Sequence, residues 1–308
     1  MASEQSQALS EHYRRSNAVA AMHPPLSLAE MRDLDEHWGD LTAEPGGVNY
    51  IEVSANGVRA LWAEPHGAVA DRVLLCLHGG GFIGGSIYTH RKMFAHLAKS
   101  VGARALSVDY RRTPEHQYPA PHDDAMTAFE WLLDTVGIGP QHIAFAGDSA
   151  GAGLAVTTAL RARAEGRPQP AALMLLSPWV DLAATAPSLT ANRDSDVLFG
   201  GPTPMNVEAL VSMVLPAGID RTDPLVSPLY AELSGLPPAY VQVGGAEMLL
   251  DDARRFAERA RAAGVKVELD VYDDQQHTFQ MMAGRAPEAD DAIDRLAQWV
   301  RPHLGIAG

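Results

Sequence analysis

The apolar residues of the middle and C-terminal parts of the chain fall into short continuous runs, which alternate with longer segments of helical character. The runs are VLLCL, ARALSVDY, HIAFAG, AALMLLS, AYVQVG and KVELDVY. Strands that are apolar throughout, rather than at every second residue, are typical of a sheet covered on both faces, and so of parallel strands joined by crossover helices. The pattern predicts an α/β fold with a mostly parallel central sheet.

The N-terminal part of the chain has a different pattern. Residues 5–22 and 27–42 are predicted to form two helices, separated by the sequence HPP at 23–25. The segment VNYIEVSANGVRALWAEP follows, and its two β-rich runs flank Asn56-Gly57. An Asn-Gly pair between such runs is the strongest short-range signal of a hairpin. We therefore expect an antiparallel N-terminal hairpin that leads into the parallel sheet.

One segment interrupts the alternation of strands and helices. Residues 178–238 separate the runs AALMLLS and AYVQVG, and they include PMNVEALVSMVLP, a short apolar helix bounded by prolines. This is too long for a simple crossover, and long insertions in compact domains are usually lids or caps. We expect residues 1–45 and 181–225 to form a helical cap, and residues 46–180 and 226–308 to form the core of a single domain. The alternative is a structural excursion that packs on a sheet edge.

Charge and cysteine content exclude several classes of partner. The chain has 24 basic and 38 acidic residues, a formal net charge of −14, which repels nucleic acids and anionic membranes. No apolar run approaches the roughly 20 residues of a membrane helix, and the N-terminal residues lack the apolar segment of a signal peptide. The one cysteine, Cys76, lies in an apolar run, so we expect a buried thiol and no intrachain disulfide. These features predict a cytoplasmic protein without membrane insertion.

A pentapeptide in the middle of the chain carries the first candidate chemistry. Gly147-Asp148-Ser149-Ala150-Gly151 follows an apolar run and leads directly into an alanine-rich helix. The pattern G-x-S-x-G between a strand and a helix is a nucleophile elbow, a strained turn that exposes the serine hydroxyl near a helix N-terminus. Ser149 is therefore the predicted nucleophile.

A serine nucleophile needs a histidine base, and the base needs an acidic group that orients it. In the chain order serine, acid, histidine, only His277 and His303 lie C-terminal to Ser149. His277 lies in a loop directly after the run KVELDVY, whereas His303 lies near the tail, beyond a predicted terminal helix. We therefore assign the base to His277.

Three carboxylates follow the run AYVQVG, in the segment GGAEMLLDDARRF. Glu247 belongs to the loop, from which an orienting carboxylate can reach across the sheet edge. Asp251 and Asp252 are predicted in the first turn of the next helix, where a carboxylate interacts favourably with the helix dipole. We assign the acid to Glu247, with Asp251 as the alternative.

The glycine-rich stretch HGGGFIGG, directly after the run VLLCL, supplies a third part. It lacks the lysine of a phosphate-binding P-loop, and a dinucleotide-binding fingerprint would need the pattern G-x-G-x-x-G at the opening of a helix. Glycines in this place let backbone N–H groups approach a substrate carbonyl oxygen. We assign an oxyanion hole to Gly80, Gly81 and the Ala150 amide, and a supporting role in the loop to His78 and Gly79.

Apolar residues of the cap and the glycine loop are candidates for the walls of a substrate pocket, and each could equally belong to the core. These residues are Trp38, Phe82, Phe199, Met205, Met213 and Leu215. We assign no metal site.

Together, the motifs HGGGF, GDSAG, GGAEMLLDDA and QQHTF resemble those of the bacterial hormone-sensitive-lipase-like, HGGG-type carboxylesterases. The resemblance implies an α/β-hydrolase core with a helical cap, activity on short or medium acyl esters, no cofactor, and a homodimer formed through a sheet edge. Two residues depart from the common pattern: Ala152 stands where many members have glycine, and Glu247 where many have aspartate.

The expected function is that of a serine carboxylic ester hydrolase, which acts on short or medium-chain or hydrophobic esters through Ser149, His277, Glu247 and an acyl-enzyme. One alternative is a lactone or amide hydrolase that uses the same three residues. The other is a non-catalytic small-molecule receptor, which would be expected to lack His277.

Overall fold

The computed structural model describes residues 2–22, 26–200 and 207–307. Met205 and the predicted helix break at 23–25 lie outside these ranges. Eight strands of the described chain form one sheet in the order β1-β2-β4-β3-β5-β6-β7-β8. The strands are β1 (Val48–Ala55), β2 (Val58–Pro65), β3 (Val73–Leu77), β4 (Arg104–Val108), β5 (Ile143–Asp148), β6 (Ala172–Leu176), β7 (Ala239–Gly244) and β8 (Val267–Tyr272).

The pairing of the strands confirms the predicted architecture. Strand β2 pairs antiparallel with both β1 and β4, and all the other neighbours pair in parallel. The turn of the hairpin lies at Asn56 and Gly57, both with positive φ. The carboxyl ends of the six parallel strands β3 to β8 therefore meet at one edge of the sheet.

Helices cover both faces of this sheet. The helices of the described chain are α1 (Glu4–Ala20), α2 (Leu28–Glu36), α3 (Ile87–Val101), α4 (Ala120–Glu130), α5 (Ala150–Ala164), α6 (Ser188–Ala191), α7 (Val207–Val214), α8 (Leu250–Ala262) and α9 (Pro287–His303). Those that pack on the strands are α3, α4, α5, α8 and α9.

Two helix predictions differ from the structure. The helix expected over 27–42 ends at Glu36 and continues as a 3-10 turn from His37 to Asp40, where the buried Gly39 packs against the backbone of α3. His303 is the last residue of α9 rather than a residue beyond it.

Apolar side chains fill the space on each side of the sheet. Phe94 of α3 and Leu296 of α9 belong to the cluster on one face, which also contains the buried Cys76. Phe129 of α4 belongs to the cluster on the other face, where its ring meets Phe145 of β5 edge to face at 4.8 Å. Strands β3, β5, β6 and β7 are buried along their whole length, which explains why they are apolar throughout.

The first turn of α8 fastens the segment after β6 to the core. Asp252 is 1% exposed, and its Oδ2 accepts hydrogen bonds from the amides of Val180 and Asp181 at 2.9 and 3.0 Å. Asp251 Oδ2 accepts one from the amide of Ser188 at 2.9 Å. Both residues thus lie in the first helical turn, as the sequence predicts.

Burial raises the pKa of Asp252 from 3.8 to about 8. Between these two pH values the folded protein keeps a proton that the unfolded chain releases, so the folding stability contributed at this site falls as pH rises and levels off above about 8. Asp252→Asn keeps an oxygen acceptor for both amides and cannot ionise. We predict that its stability relative to the wild type increases between about pH 4 and pH 8, as measured by urea denaturation. A difference that is independent of pH would contradict this.

Candidate active site

Ser149 lies in the tight turn between β5 and α5, at φ 53° and ψ −122°. A positive φ is strained for a side chain other than glycine and is typical of functional turns. The turn also requires a glycine at position 151, in the first turn of α5, because a Cβ there would lie 2.0 Å from the carbonyl oxygen of Leu77. The pentapeptide therefore brings α5 directly against the end of β3, and Ser149 is left 6% exposed.

His277 and Glu247 form a buried pair at the same sheet edge. His277 Nδ1 lies 3.1 Å from Glu247 Oε1, and the two side chains are 1% and 0% exposed. The second oxygen of Glu247 accepts hydrogen bonds from the hydroxyl of Ser177 at 2.7 Å and the amide of Gly244 at 2.9 Å. Asp251, the alternative acid, is bonded to Ser188 instead.

The charge of Glu247 sets the protonation of His277. Burial alone lowers the pKa of the imidazole, but the Glu247 carboxylate raises it through its charge and its hydrogen bond, and Asp196 and Asp148 add to the effect. The pKa of His277 therefore lies above the ordinary value of 6.5. An imidazole with a raised pKa binds a proton more strongly, and the imidazolium that forms stays paired with the Glu247 carboxylate.

Ser149 and His277 line one cavity. Within the described residues no hydrogen bond joins the two side chains. In the absence of substrate such bonds are often long or poorly aligned, and they tighten when the substrate binds. The arrangement can move a proton between serine and histidine once a substrate fills the cavity.

The glycine-rich loop lies at the wall of this cavity. Gly80 has φ 109°, and a Cβ there would lie 2.4 Å from the backbone of Gly84, so this turn requires glycine. Gly79 donates its amide proton to Asp148 Oδ1 at 2.9 Å. The amides of Gly80 and Gly81 donate no hydrogen bond in the described part of the chain. These two amides are therefore available to a bound oxygen, as is the amide of Ala150 at the N-terminal end of α5.

The carboxylate of Asp148 supports the glycine loop, a role that no sequence pattern predicts. Asp148, the residue before the serine, bonds Gly79 with one oxygen and lies 3.2 Å from His90 Nε2 with the other. The hydroxyl of Tyr110 donates to the carbonyl of His78 at 2.7 Å, and the two rings stack at 4.2 Å. The pentapeptide itself contains Asp148, but nothing in the sequence pairs it with His90.

His78 braces the loop by a contact between its own Nδ1 and the carbonyl oxygen of Gly79 at 2.8 Å. Burial, with the nearby charge of His90, lowers the pKa of His78 to about 3. The ring is therefore neutral at physiological pH and is part of the scaffold of the loop.

The cavity has a volume of about 370 Å³ and a mainly apolar lining. Of the residues predicted to form its walls, Trp38, Phe199 and Met213 line it. The following described residues also contribute: Met31, Leu34, Leu189, Leu198, Leu210 and Met248. The wall therefore comes largely from the two segments expected to form the cap.

Two predicted pocket residues do not line this cavity. Phe82 points into the core, where its ring contacts those of His122 and Trp179 at 5.9 and 6.3 Å. Leu215 belongs to the same buried cluster and is 7% exposed. Both side chains contribute to packing because the backbone around them turns them away from the cavity.

The described residues contain no group of three or more His, Cys, Asp or Glu side chains placed to hold a metal ion. No helix in those ranges is long and apolar enough to cross a membrane.

Comparison with known proteins places the chain in a family. Residues 74–281 match the family of the α/β-hydrolase fold. The chain is 39% identical over 235 residues to an esterase of Acinetobacter venetianus, a match that covers 75% of each protein. It is 37% identical over 271 residues to an acetyl-hydrolase of Streptomyces hygroscopicus, with 88% of this chain and 87% of that protein covered.

A solved structure gives the same result. The crystal structure of an esterase from the bacterial hormone-sensitive lipase family superposes with a TM-score of 0.92 at 40% identity, covering 99% of this chain and 100% of the other. These matches confirm the resemblance found in the motifs. The chain belongs to the bacterial hormone-sensitive lipase family of α/β-hydrolases and is a carboxylic ester hydrolase.

Proposed function

We propose that the protein hydrolyses esters through a triad of Ser149, His277 and Glu247, by way of an acyl-enzyme. The observation that carries the proposal is the position of the His277–Glu247 pair, at 3.1 Å, in the wall of the cavity that also contains Ser149. Nucleophile, base and orienting acid are then arranged as in the serine hydrolases.

Acylation begins when His277 Nε2 takes the proton of the Ser149 hydroxyl while Oγ bonds to the ester carbonyl carbon. The carbonyl electron pair moves to oxygen, and the amides of Gly80, Gly81 and Ala150 stabilise the resulting oxyanion. One such donor is worth about 3–4 kcal/mol in related enzymes. The imidazolium, held by Glu247, then gives its proton to the departing alkoxide.

Deacylation repeats these steps with water. His277 takes a proton from a water molecule as the water oxygen attacks the acyl carbon. The imidazolium then gives this proton to Ser149 Oγ, which is released as a free hydroxyl. The products are the carboxylic acid and the restored enzyme. No cofactor enters either half of the cycle.

The cavity supports a preference for small hydrophobic esters. Its volume of about 370 Å³ lies at the lower end of the range usual for small-molecule sites, and aromatic and aliphatic side chains dominate its wall. One relative is named an acetyl-hydrolase, which agrees with a short acyl group. We propose that residues 1–45 and 181–225 are the cap that shapes this specificity.

Ser149→Ala should lower kcat for p-nitrophenyl butyrate by at least about 10⁴-fold, because the nucleophile is removed while the oxyanion donors remain. Ser100→Ala, which changes a half-buried serine of α3 that bonds Asp294 and does not line the cavity, is the matched control and should keep wild-type turnover. Circular dichroism checks that both variants are folded. Turnover retained in Ser149→Ala would refute the proposed nucleophile.

The two candidate acids can be separated by matched amide substitutions. Glu247→Gln should lower kcat by about 10³- to 10⁴-fold, because the amide cannot stabilise the imidazolium. Asp251→Asn keeps an oxygen acceptor for the Ser188 amide and should stay within about threefold of wild type. The opposite ranking, measured by the same ester assay, would assign the acid to Asp251.

The raised pKa of His277 predicts the acidic limb of the pH profile. The base acts as the neutral imidazole, and protonation removes activity as pH falls through its pKa. Since Glu247 holds that pKa above 6.5, kcat/KM should fall to half its maximum at a pH above 6.5. A midpoint at or below 6.5 would contradict the coupling between His277 and Glu247.

A further inference from the structure

We infer that Tyr13 of the N-terminal helix and Ser177 of the loop after β6 are positioning residues for the base, an inference that rests on the proposed role of His277. Both act on the peptide group between His277 and Thr278. Tyr13 reaches it from the cap, and Ser177 reaches it from the core.

The peptide group is held at both ends. The Tyr13 hydroxyl donates to the carbonyl oxygen of His277 at 2.8 Å, a buried contact between residues 264 positions apart. The amide of Thr278, in the same peptide unit, donates to Ser177 Oγ at 3.1 Å. Thr278 has φ 52°, in the left-handed region, which is strained for a β-branched residue. The two hydrogen bonds hold the backbone in a conformation that the chain does not favour by itself.

Ser177 connects this backbone to the acid. Its hydroxyl donates to Glu247 Oε2 at 2.7 Å while it accepts from Thr278. Glu247 in turn lies against the imidazole of His277. The ring and the backbone of the base are therefore joined in one closed circuit of hydrogen bonds through Glu247 and Ser177. Tyr13 of the cap adds a bond to the carbonyl end of the same peptide group.

Helix α1 is anchored well enough to hold Tyr13 in place. Tyr13 and Leu9 are each 1% exposed and pack in one cluster with Phe279. One turn earlier on the same helix, the Ser6 hydroxyl donates to Gln275 Oε1 at 2.8 Å, which fixes α1 to the loop that carries His277. Trp38, a residue of the cavity wall, meets the Tyr13 ring edge to face at 6.1 Å. The hydroxyl of Tyr13 is thus directed at His277 by a rigid support.

The decisive variant is Tyr13→Phe, which removes the hydroxyl and keeps the packed ring. We expect kcat for p-nitrophenyl butyrate to fall about tenfold, with KM within twofold of wild type, because a small displacement of a catalytic group affects the chemical step. Rates are expressed per reactive serine, titrated with a fluorophosphonate, so that loss of folded protein does not enter kcat.

Two control variants separate positioning from stability. Val101→Ala removes two buried methyl groups at the C-terminal end of α3, outside the cavity wall and α1, and it should lower the unfolding temperature while kcat stays within twofold. Tyr240→Phe removes another tyrosine hydroxyl, one that bonds Asp270 Oδ2 at 2.5 Å between β7 and β8, and should leave kcat unchanged.

Ser177→Ala gives an independent readout. Loss of its hydrogen bond removes a donor that shares the negative charge of the Glu247 carboxylate, so that charge favours the imidazolium form of His277 more strongly. The acidic limb of the kcat/KM profile should move to higher pH in this variant and stay in place in Tyr13→Phe, which leaves the carboxylate untouched.

Wild-type kcat in Tyr13→Phe, or an equal loss in Val101→Ala, would overturn the role of Tyr13. An unmoved pH limb in Ser177→Ala would overturn the role of Ser177. Either result leaves the proposed triad intact as long as Ser149→Ala is inactive, so a failure of this inference is distinguishable from a failure of the proposed function.

Discussion

The site depends on one close backbone contact, between the carbonyl oxygen of Leu77 at the end of β3 and the first turn of α5. A Cβ on Gly151 would lie 2.0 Å from that oxygen, so no other residue fits. The contact brings the loop after β3 beside the turn that holds Ser149. Asp148 then joins the two by accepting the amide proton of Gly79. This approach brings the amides of Gly80 and Gly81, the proposed oxyanion donors, to the side of the sheet edge where Ser149 lies.

The order of strands in the sheet brings the three proposed catalytic residues together. Strands β5, β6, β7 and β8 are neighbours in the sheet in this order, and all of them are parallel. The strands that matter here are β5, β7 and β8. Their carboxyl ends carry the turns that hold Ser149, Glu247 and His277, which are far apart in the chain. Each proposed catalytic group thus lies in a short loop at the carboxyl end of a parallel strand, where a rigid scaffold can hold it. The two segments that we propose as the cap, residues 1–45 and 181–225, contribute most of the lining of the cavity.

Much of this arrangement could be predicted from the sequence, because the signals are local. Strands β3, β5, β6 and β7 are mostly apolar runs, and β1 and β2 flank the Asn-Gly turn of a hairpin. The nucleophile turn and the glycine loop each follow such a run. Strand β8, before the His277 loop, alternates apolar and acidic residues because it lies at the edge of the sheet. The roles assigned to Ser149, His277 and Glu247 remain predictions, which the geometry supports.

Other features depend on contacts that no local pattern encodes. Phe82 and Leu215 are as apolar as a pocket wall, and only the backbone path decides that they face the core. Helix α2 stops at Glu36 because Gly39 packs against α3, a tertiary contact. Tyr13 donates to the carbonyl oxygen of His277, and Ser177 accepts from the amide of Thr278. Every residue has these backbone groups, so no sequence pattern reveals which side chain binds them.

The most direct test of the account is to label the native protein with a fluorophosphonate, which reacts with activated serine hydroxyls, and to map the modified residue by peptide mass spectrometry. If Ser149 is the nucleophile and His277 is its base, Ser149 should be the one modified residue, and its labelling rate should fall sharply in His277→Ala. Modification of another serine, or no modification under conditions in which the protein hydrolyses p-nitrophenyl butyrate, would contradict it.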